Sequence, residues 1–150
     1  MLDLIHVFTA RVDVGVPLEL GQVSTGRRRV IPIVGGTVEG PRLTGTVLHG
    51  GADWQIVRED GTAELVARYT LQATDGTLIS VVNKGIRRGA PEVLARIAAG
   101  EDVDPSEYYF RASPTFEVAP GPHRWLMDNI FVATGQRQAK QVVIAVYQLT

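Results

Sequence analysis

The sequence predicts an all-β fold, a single closed antiparallel β-barrel of roughly 8–10 strands with one short helix near residues 91–98. Three observations carry this. Apolar residues recur with a period of two along most of the chain. Turn signals built on Gly, Asp and Pro interrupt that alternation at short intervals, and helical periodicity with start and stop signals occurs in one place only. A closed barrel is preferred to an open sheet because closure removes exposed strand edges.

In the first strand His6 alternates with Leu4 and Phe8, the pattern of a core or interface histidine. "GTVEGPRLTG" is a turn signal, and Gly35-Gly36 and Gly45 read as the strand bends that barrels need. In "LHGGADWQIV", Gly50 and Gly51 allow positive φ or close backbone approach, so they bend a strand at a rim and re-aim the side chains after them. "EDGTAE" and "TDGTLI" place Asp60-Gly61 and Asp75-Gly76 where type I′ hairpin turns are expected. Between them, in "AELVARYTLQA", Leu65, Ala67, Tyr69 and Leu71 share one face, and Glu64, Val66, Arg68, Thr70 and Gln72 the other. "GAPEVLARIAAGEDV" is the one helical stretch, with Pro91 in its first turn, Val93, Leu94 and Ile97 on one side, and Gly100 as its stop. "EYYFRAS" is a strand, "APGPHR" and "ATGQRQ" are turn signals, and "QVVIAVYQL" is apolar on both faces, a strand covered on both sides.

Composition narrows the function classes. The 150 residues suffice for one domain over residues 1–150, and no linker, repeat or low-complexity segment divides it. Fifteen basic against sixteen acidic side chains give a net charge of −1, so no nucleic-acid footprint is present, and Arg27-Arg28-Arg29 reads as a solvated strand start. The absence of cysteine removes disulfides, thiolate metal sites and cysteine nucleophiles, which fits a reducing cytoplasm. No segment has the length of a membrane span or the layout of a signal peptide, so no membrane partner is expected. The three histidines, His6, His49 and His123, lie in no paired ligand motif, so no metal is expected, and no phosphate loop, dinucleotide fingerprint or nucleophile elbow implies a cofactor.

Candidate site residues stand out by their chemistry. Asp53, aimed by the glycine pair, is either a cap on its own turn or a carboxylate acting as base or substrate anchor. Alternation sends Asp53 and Gln55 to one face and Trp54 and Ile56 to the other, without saying which is the interior. Arg68 lies in mid-strand, where a charge must be paired or solvated; facing a cavity, its guanidinium would fork onto a carboxylate or polarise a carbonyl. Arg111 poses the same choice. With Tyr109 it would complete a polar cluster while Tyr108 and Phe110 supply apolar wall. Trp54, Tyr69, Tyr109 and Trp125 are candidates for an aromatic lining, and His49, beside the glycine pair, joins them as a candidate binding residue.

The stretch from "RRVIPIVGG" through "LHGGADWQIVREDGTAELVARYTLQATDGTLISVVNKG", followed by "EYYFRASPTFE" and "RWL", resembles the bacterial uncharacterised protein family 0311, the domain of unknown function 3237. The resemblance spans nearly the whole chain. It implies a small β-barrel, similar in outline to those of allene oxide cyclases, dirigent proteins and lipocalin-like proteins, often self-associating as a dimer or larger homo-oligomer. The family pattern places an asparagine directly after the tryptophan-leucine pair; this chain has "WLMDN", so that asparagine's binding role falls to Asn129 or Asp128, of which Asn129 is taken as the candidate. The family has proline where this chain has His49.

Three functions are compatible with such a barrel. One is a cofactor-independent isomerase, cyclase or lyase acting on a carbonyl-bearing cyclic or aromatic metabolite, with Asp53 moving a proton and Arg68 and Arg111 stabilising charge on oxygen. The second is a non-catalytic protein that binds a small molecule in the same pocket, and the third a structural oligomeric module with a filled barrel. A hollow interior separates the first two from the third.

Overall fold

The computed structural model describes every residue from Met1 to Thr150. Ten strands and one α-helix run in the order β1 (Leu4–Val14), β2 (Leu18–Val23), β3 (Gly26–Glu39), β4 (Gly45–Val47), β5 (Gly51–Val57), β6 (Ala63–Ala73), β7 (Leu78–Arg88), α1 (Pro91–Ala98), β8 (Tyr109–Val118), β9 (Ile130–Arg137) and β10 (Gln141–Leu149). All pairings are antiparallel, and β1 pairs with both β10 and β3, which closes the sheet into a barrel. The wall has eight strand positions, because β4 and β5 share one place between β3 and β6 while β2 extends outside it as a hairpin on β3.

Asp60-Gly61 and Asp75-Gly76 close the β5–β6 and β6–β7 hairpins, as expected, but not through type I′ turns. Gly61 N–H donates to Arg58 C=O and Gly76 N–H to Ala73 C=O, and only the glycines have positive φ, at 85° and 91°. Each is therefore a type I turn followed by a left-handed glycine. The aspartates occupy the preceding position because their carboxylates accept the backbone N–H two residues on, from Thr62 and Thr77 at 2.9 and 3.0 Å.

Helix α1 covers the residues that its pattern predicts, with Pro91 at its start. Gly100, at φ 84°, ends it: Gly100 N–H donates to Ile97 C=O and Glu101 N–H to Arg96 C=O, so a reversed turn satisfies the last carbonyls. Val93 and Ile97 are buried, and Leu94 packs partly against the core, so the helix caps one end of the barrel. The "ATGQRQ" segment is not a turn. β9 runs through Gly135 to Arg137, and the reversal falls at residues 138–140. Glycine at 135 is a packing requirement, since a Cβ there would sit 2.6 Å from the Phe110 ring.

The two ends of the barrel interior differ. At the end away from α1, Phe8, Phe116 and Phe131 meet edge-on with ring centroids 6.0 and 5.2 Å apart, Trp125 packs on Phe131 at 5.8 Å, and Leu126 is fully buried. This half is filled. The other half, below α1, holds a cavity.

Candidate functional site

The corner that aims Asp53 is a break within the barrel wall. β4 pairs with β6 at Val47↔Leu71 and β5 pairs with it at Ala52↔Arg68, so residues 48–51 face only two residues of β6. Two extra residues leave the inside–outside alternation intact: Val47 and Asp53 both point inward. Gly50 takes φ 117°, and a Cβ on Gly51 would lie 2.5 Å from Tyr69 Cβ and 2.6 Å from Arg68 O. Both glycines are required, the first by its backbone angle and the second by close packing. The corner is thus a bulge in mid-wall, not a rim.

The cavity is lined chiefly by Val12, Ile31, Ile33, Leu65, Phe110 and Ile144, with Asp53, Gln55, Tyr69, Asn83, Arg87 and Arg137 as its polar members. About 50 Å³ is open to the centre of a water molecule, enough for a few waters at roughly 10–15 Å³ each. Gln55 Nε2 donates to Asp53 Oδ2 at 2.9 Å, while Asp53 Oδ1, Gln55 Oε1 and Asn83 Oδ1 are shielded and have no protein partner. Burial raises the Asp53 carboxyl above its ordinary value of 3.8; the Gln55 bond and, more weakly, Arg87, Arg137 and Arg29 pull the other way. Tyr69 is buried, and desolvation, reinforced by the charge on Asp53, keeps its hydroxyl protonated far above the ordinary range.

The arginines at this site are not the expected ones. Arg68 is exposed on the outer face, and Arg111 is exposed there too, donating from Nη1 to Phe110 C=O at 2.9 Å. The physical reason is strand parity: Tyr69 and Phe110 point inward, so their neighbours cannot. Instead Arg87 and Arg137 reach the cavity from the ends of β7 and β9. Arg87 is only 9% exposed and has no hydrogen-bonded or ionic partner in the protein. Desolvation first, and Arg137 second, push it down to about 10, so it remains charged at neutral pH. Arg137 is also lowered by burial, and its Nη1 is shielded and unpartnered, whereas its backbone N–H donates to Tyr108 Oη at 2.9 Å.

Above the cavity, between α1 and the β2–β3 hairpin, lies a vestibule of about 280 Å³. Ile31, Arg87 and Arg137 line both spaces, and Arg27 and Arg29 line the vestibule alone. Arg27 is solvated, as its sequence position suggests, but Arg29 is not: its side chain is 17% exposed, and its Nε lies 2.9 Å from Glu19 Oε1, off the hydrogen-bond direction.

The other expected binding residues lie apart from this cavity, Tyr69 excepted. Trp54 is 39% exposed on the outer face, opposite in sense to Asp53. Tyr109 is also outside, with the Arg88 and Arg111 guanidinium carbons 4.5 and 5.6 Å from its ring centre. His49 is exposed beside the bulge. Trp125 and Asn129 belong to the filled end: Arg42 stacks 3.9 Å over the Trp125 ring, Asn129 Nδ2 donates to Trp125 C=O, and Asn129 Oδ1 accepts from Gln148 Nε2. No three His, Asp or Glu side chains gather anywhere in a form that would hold a metal ion. No helix is long and apolar enough to cross a membrane.

Comparison with known proteins gives the same barrel. A UPF0311 protein of Bradyrhizobium diazoefficiens is 45% identical over 148 residues, covering 99% of this chain and 97% of the relative. The crystal structure of a conserved protein of unknown function from Rhodopseudomonas palustris matches with a TM-score of 0.97 at 42% identity, over 100% of this chain and 99% of that one. A β-barrel-like protein from Acinetobacter baumannii matches at 0.88 and 41%, over 100% and 97%. More distantly, an enzyme from Penicillium herquei shares the fold, with a TM-score of 0.71 at 20% identity over 100% and 94% of the chains. The family model described as protein of unknown function (DUF3237) matches residues 2–149, and the chain belongs to that family.

Proposed function

We propose that this barrel is a cofactor-independent enzyme that moves a proton on a small carbonyl-bearing metabolite, cyclic or aromatic, in an isomerase, cyclase or lyase reaction. One observation carries the reading: Asp53, one of whose carboxylate oxygens is shielded and has no protein partner, lines a largely apolar cavity shared with arginines that have no protein acceptor. Burial brings the acid–base change of Asp53 nearer to neutrality, which a proton carrier requires. In its ionised form Asp53 would take a proton from carbon beside the carbonyl, and the oxygen that gains negative charge would accept hydrogen bonds from Arg87, Arg137 or the Tyr69 hydroxyl. Return of the proton to another atom completes an isomerisation with no change in oxidation state. Gln55 fixes the carboxylate through Oδ2 and leaves Oδ1 without a protein partner.

Cytoplasmic location and self-association belong to the same proposal. Zero cysteines support the first, and exposed Leu18, Leu20 and Val23 on β2, whose outer edge has no strand partner, support the second.

The test is deuterium incorporation, followed by proton NMR, into cyclic ketones, enones and phenolic acids incubated with the protein in D2O. The parent should label at least one of them, and Asp53→Asn should slow labelling by about 100-fold or more, whereas Arg68→Lys, on the outer face, should match the parent. Equal labelling by parent and Asp53→Asn would refute the role of Asp53.

A further inference from the structure

The cavity and its vestibule are out of electrostatic balance. Four arginines line the vestibule, at positions 27, 29, 87 and 137, and no carboxylate lies among its lining residues. Glu19 offsets Arg29 from outside, and its own side chain is 52% exposed. Asp53, the one acid of the inner cavity, forms no ion pair with any arginine and gives its single side-chain bond to Gln55. Arg87 and Arg137, the two charged residues that line both spaces, therefore hold up to ten guanidinium N–H donors with no side-chain acceptor among them. Burying such groups unpaired costs several kcal/mol, and a fold retains that arrangement only if something else is gained. An anionic ligand supplies the missing acceptors.

We infer that the junction between vestibule and cavity is a carboxylate-binding subsite, in which Arg87 and Arg137 hold the carboxylate of an organic acid whose reacting end extends into the cavity towards Asp53. This rests on the proton-transfer reading for the reacting end but not for the carboxylate. Two planar guanidinium forks match a carboxylate in shape and hydrogen-bonding capacity. A phosphate dianion fits less well. The vestibule is lined by Leu94, Ile97 and Ala98 of α1 and by Gly100 beyond its end, so the helix does not turn its N-terminal amides to the site, and the higher charge of a dianion gains no support from it. Size adds a second constraint. The inner cavity admits only a few heavy atoms beyond the carboxylate, so the reacting end that reaches Asp53 is small and any larger ring of the acid lies on the vestibule side of the carboxylate.

Isothermal titration with acid–amide pairs tests this: pyruvate against pyruvamide, benzoate against benzamide, and inorganic phosphate alone. At least one carboxylate should bind about 10- to 100-fold more tightly than its amide, the worth of one or two charge-assisted hydrogen bonds. Arg137→Gln and Arg87→Gln should each erase that difference without weakening the amide. Folding is checked by circular dichroism; removing an unpaired buried charge should leave it intact, and Arg68→Gln, on the outer face, is the control that keeps the preference. Failure of every carboxylate to bind, equal binding of acid and amide, retention of the preference in both junction variants, or phosphate binding more tightly than either acid would each overturn the inference. Asp53→Asn separates the two proposals: it should slow labelling by about 100-fold or more while keeping or strengthening carboxylate binding. If it leaves labelling unchanged while the arginine variants lose the carboxylate, the proton-transfer reading fails and the subsite stands.

Discussion

Replacing Arg87 by methionine should stabilise the protein. Arg87 is 9% exposed and lacks a hydrogen-bonded or ionic partner in the protein, and its surroundings push it from 12.5 down to about 10. At about 1.36 kcal/mol per pKa unit, the folded state disfavours the charged form by roughly 3 kcal/mol. The sign follows from the direction. A cation with a lowered folded pKa is a net cost at every pH below that value, and the cost fades only as pH rises towards 12.5, where the unfolded chain also loses its proton. Methionine keeps an unbranched apolar stem, so most packing against the cavity wall survives, and the expected gain is about 1–3 kcal/mol. Urea denaturation followed by circular dichroism measures it: the midpoint should rise with an unchanged slope, and the melting temperature should rise by about 2–4 °C per kcal/mol for a domain of this size. A loss of more than about 1 kcal/mol would show that Arg87 is held by interactions that stabilise the fold, and would remove the main reason for assigning it to a ligand.

Gly51→Ala should destabilise by about 2–3 kcal/mol, because the new methyl would press on Tyr69 Cβ and Arg68 O at 2.5 and 2.6 Å, both fixed in β6; thermal unfolding measures the loss. Asp75, held down to about 2 by bonds from the Thr77 backbone and side chain and then from His123, should contribute stability above about pH 4 that is lost as pH falls through 2, so Asp75→Asn should flatten acid unfolding in that window. Asp53, raised by burial, has the opposite sign: its contribution is complete below 3.8 and lost as pH rises through its folded value, so Asp53→Asn should gain stability relative to the parent between acid and neutral pH, read from urea midpoints.

The barrel was legible because its determinants are local. Asp-Gly pairs, two-residue alternation and the Pro91-to-Gly100 helix each specify structure within a dozen residues, and only the turn type differed, since a single positive-φ glycine suffices. The site was half legible. Asp53 and Gln55 were placed on one face by alternation, and Tyr69 reaches the same cavity, but the choice of Arg68 conflicted with the alternation that put Tyr69 on the opposite face from it. Arg87 and Arg137 carried a usable signal: each extends an inward row, Asn83-Gly85-Arg87 on β7 and Ala133-Gly135-Arg137 on β9. Their position at strand ends, where arginines are ordinarily solvated, masks that signal. Arg29 continues the Ile31-Ile33 row in the same way. That these three ends meet at one mouth depends on barrel closure and register, which no local pattern contains.

Whether Asp53 can carry a proton is decided by its own acid–base behaviour, measured by carbon-13 NMR of its side-chain carboxyl across a pH titration, with Asp53→Asn identifying the resonance. The midpoint should lie above the ordinary 3.8, because desolvation outweighs the Gln55 bond and the nearby arginines. A midpoint at or below 3.8 would mean that the arginines pair with Asp53 and hold it ionised, and would contradict its role as the proton carrier of this cavity.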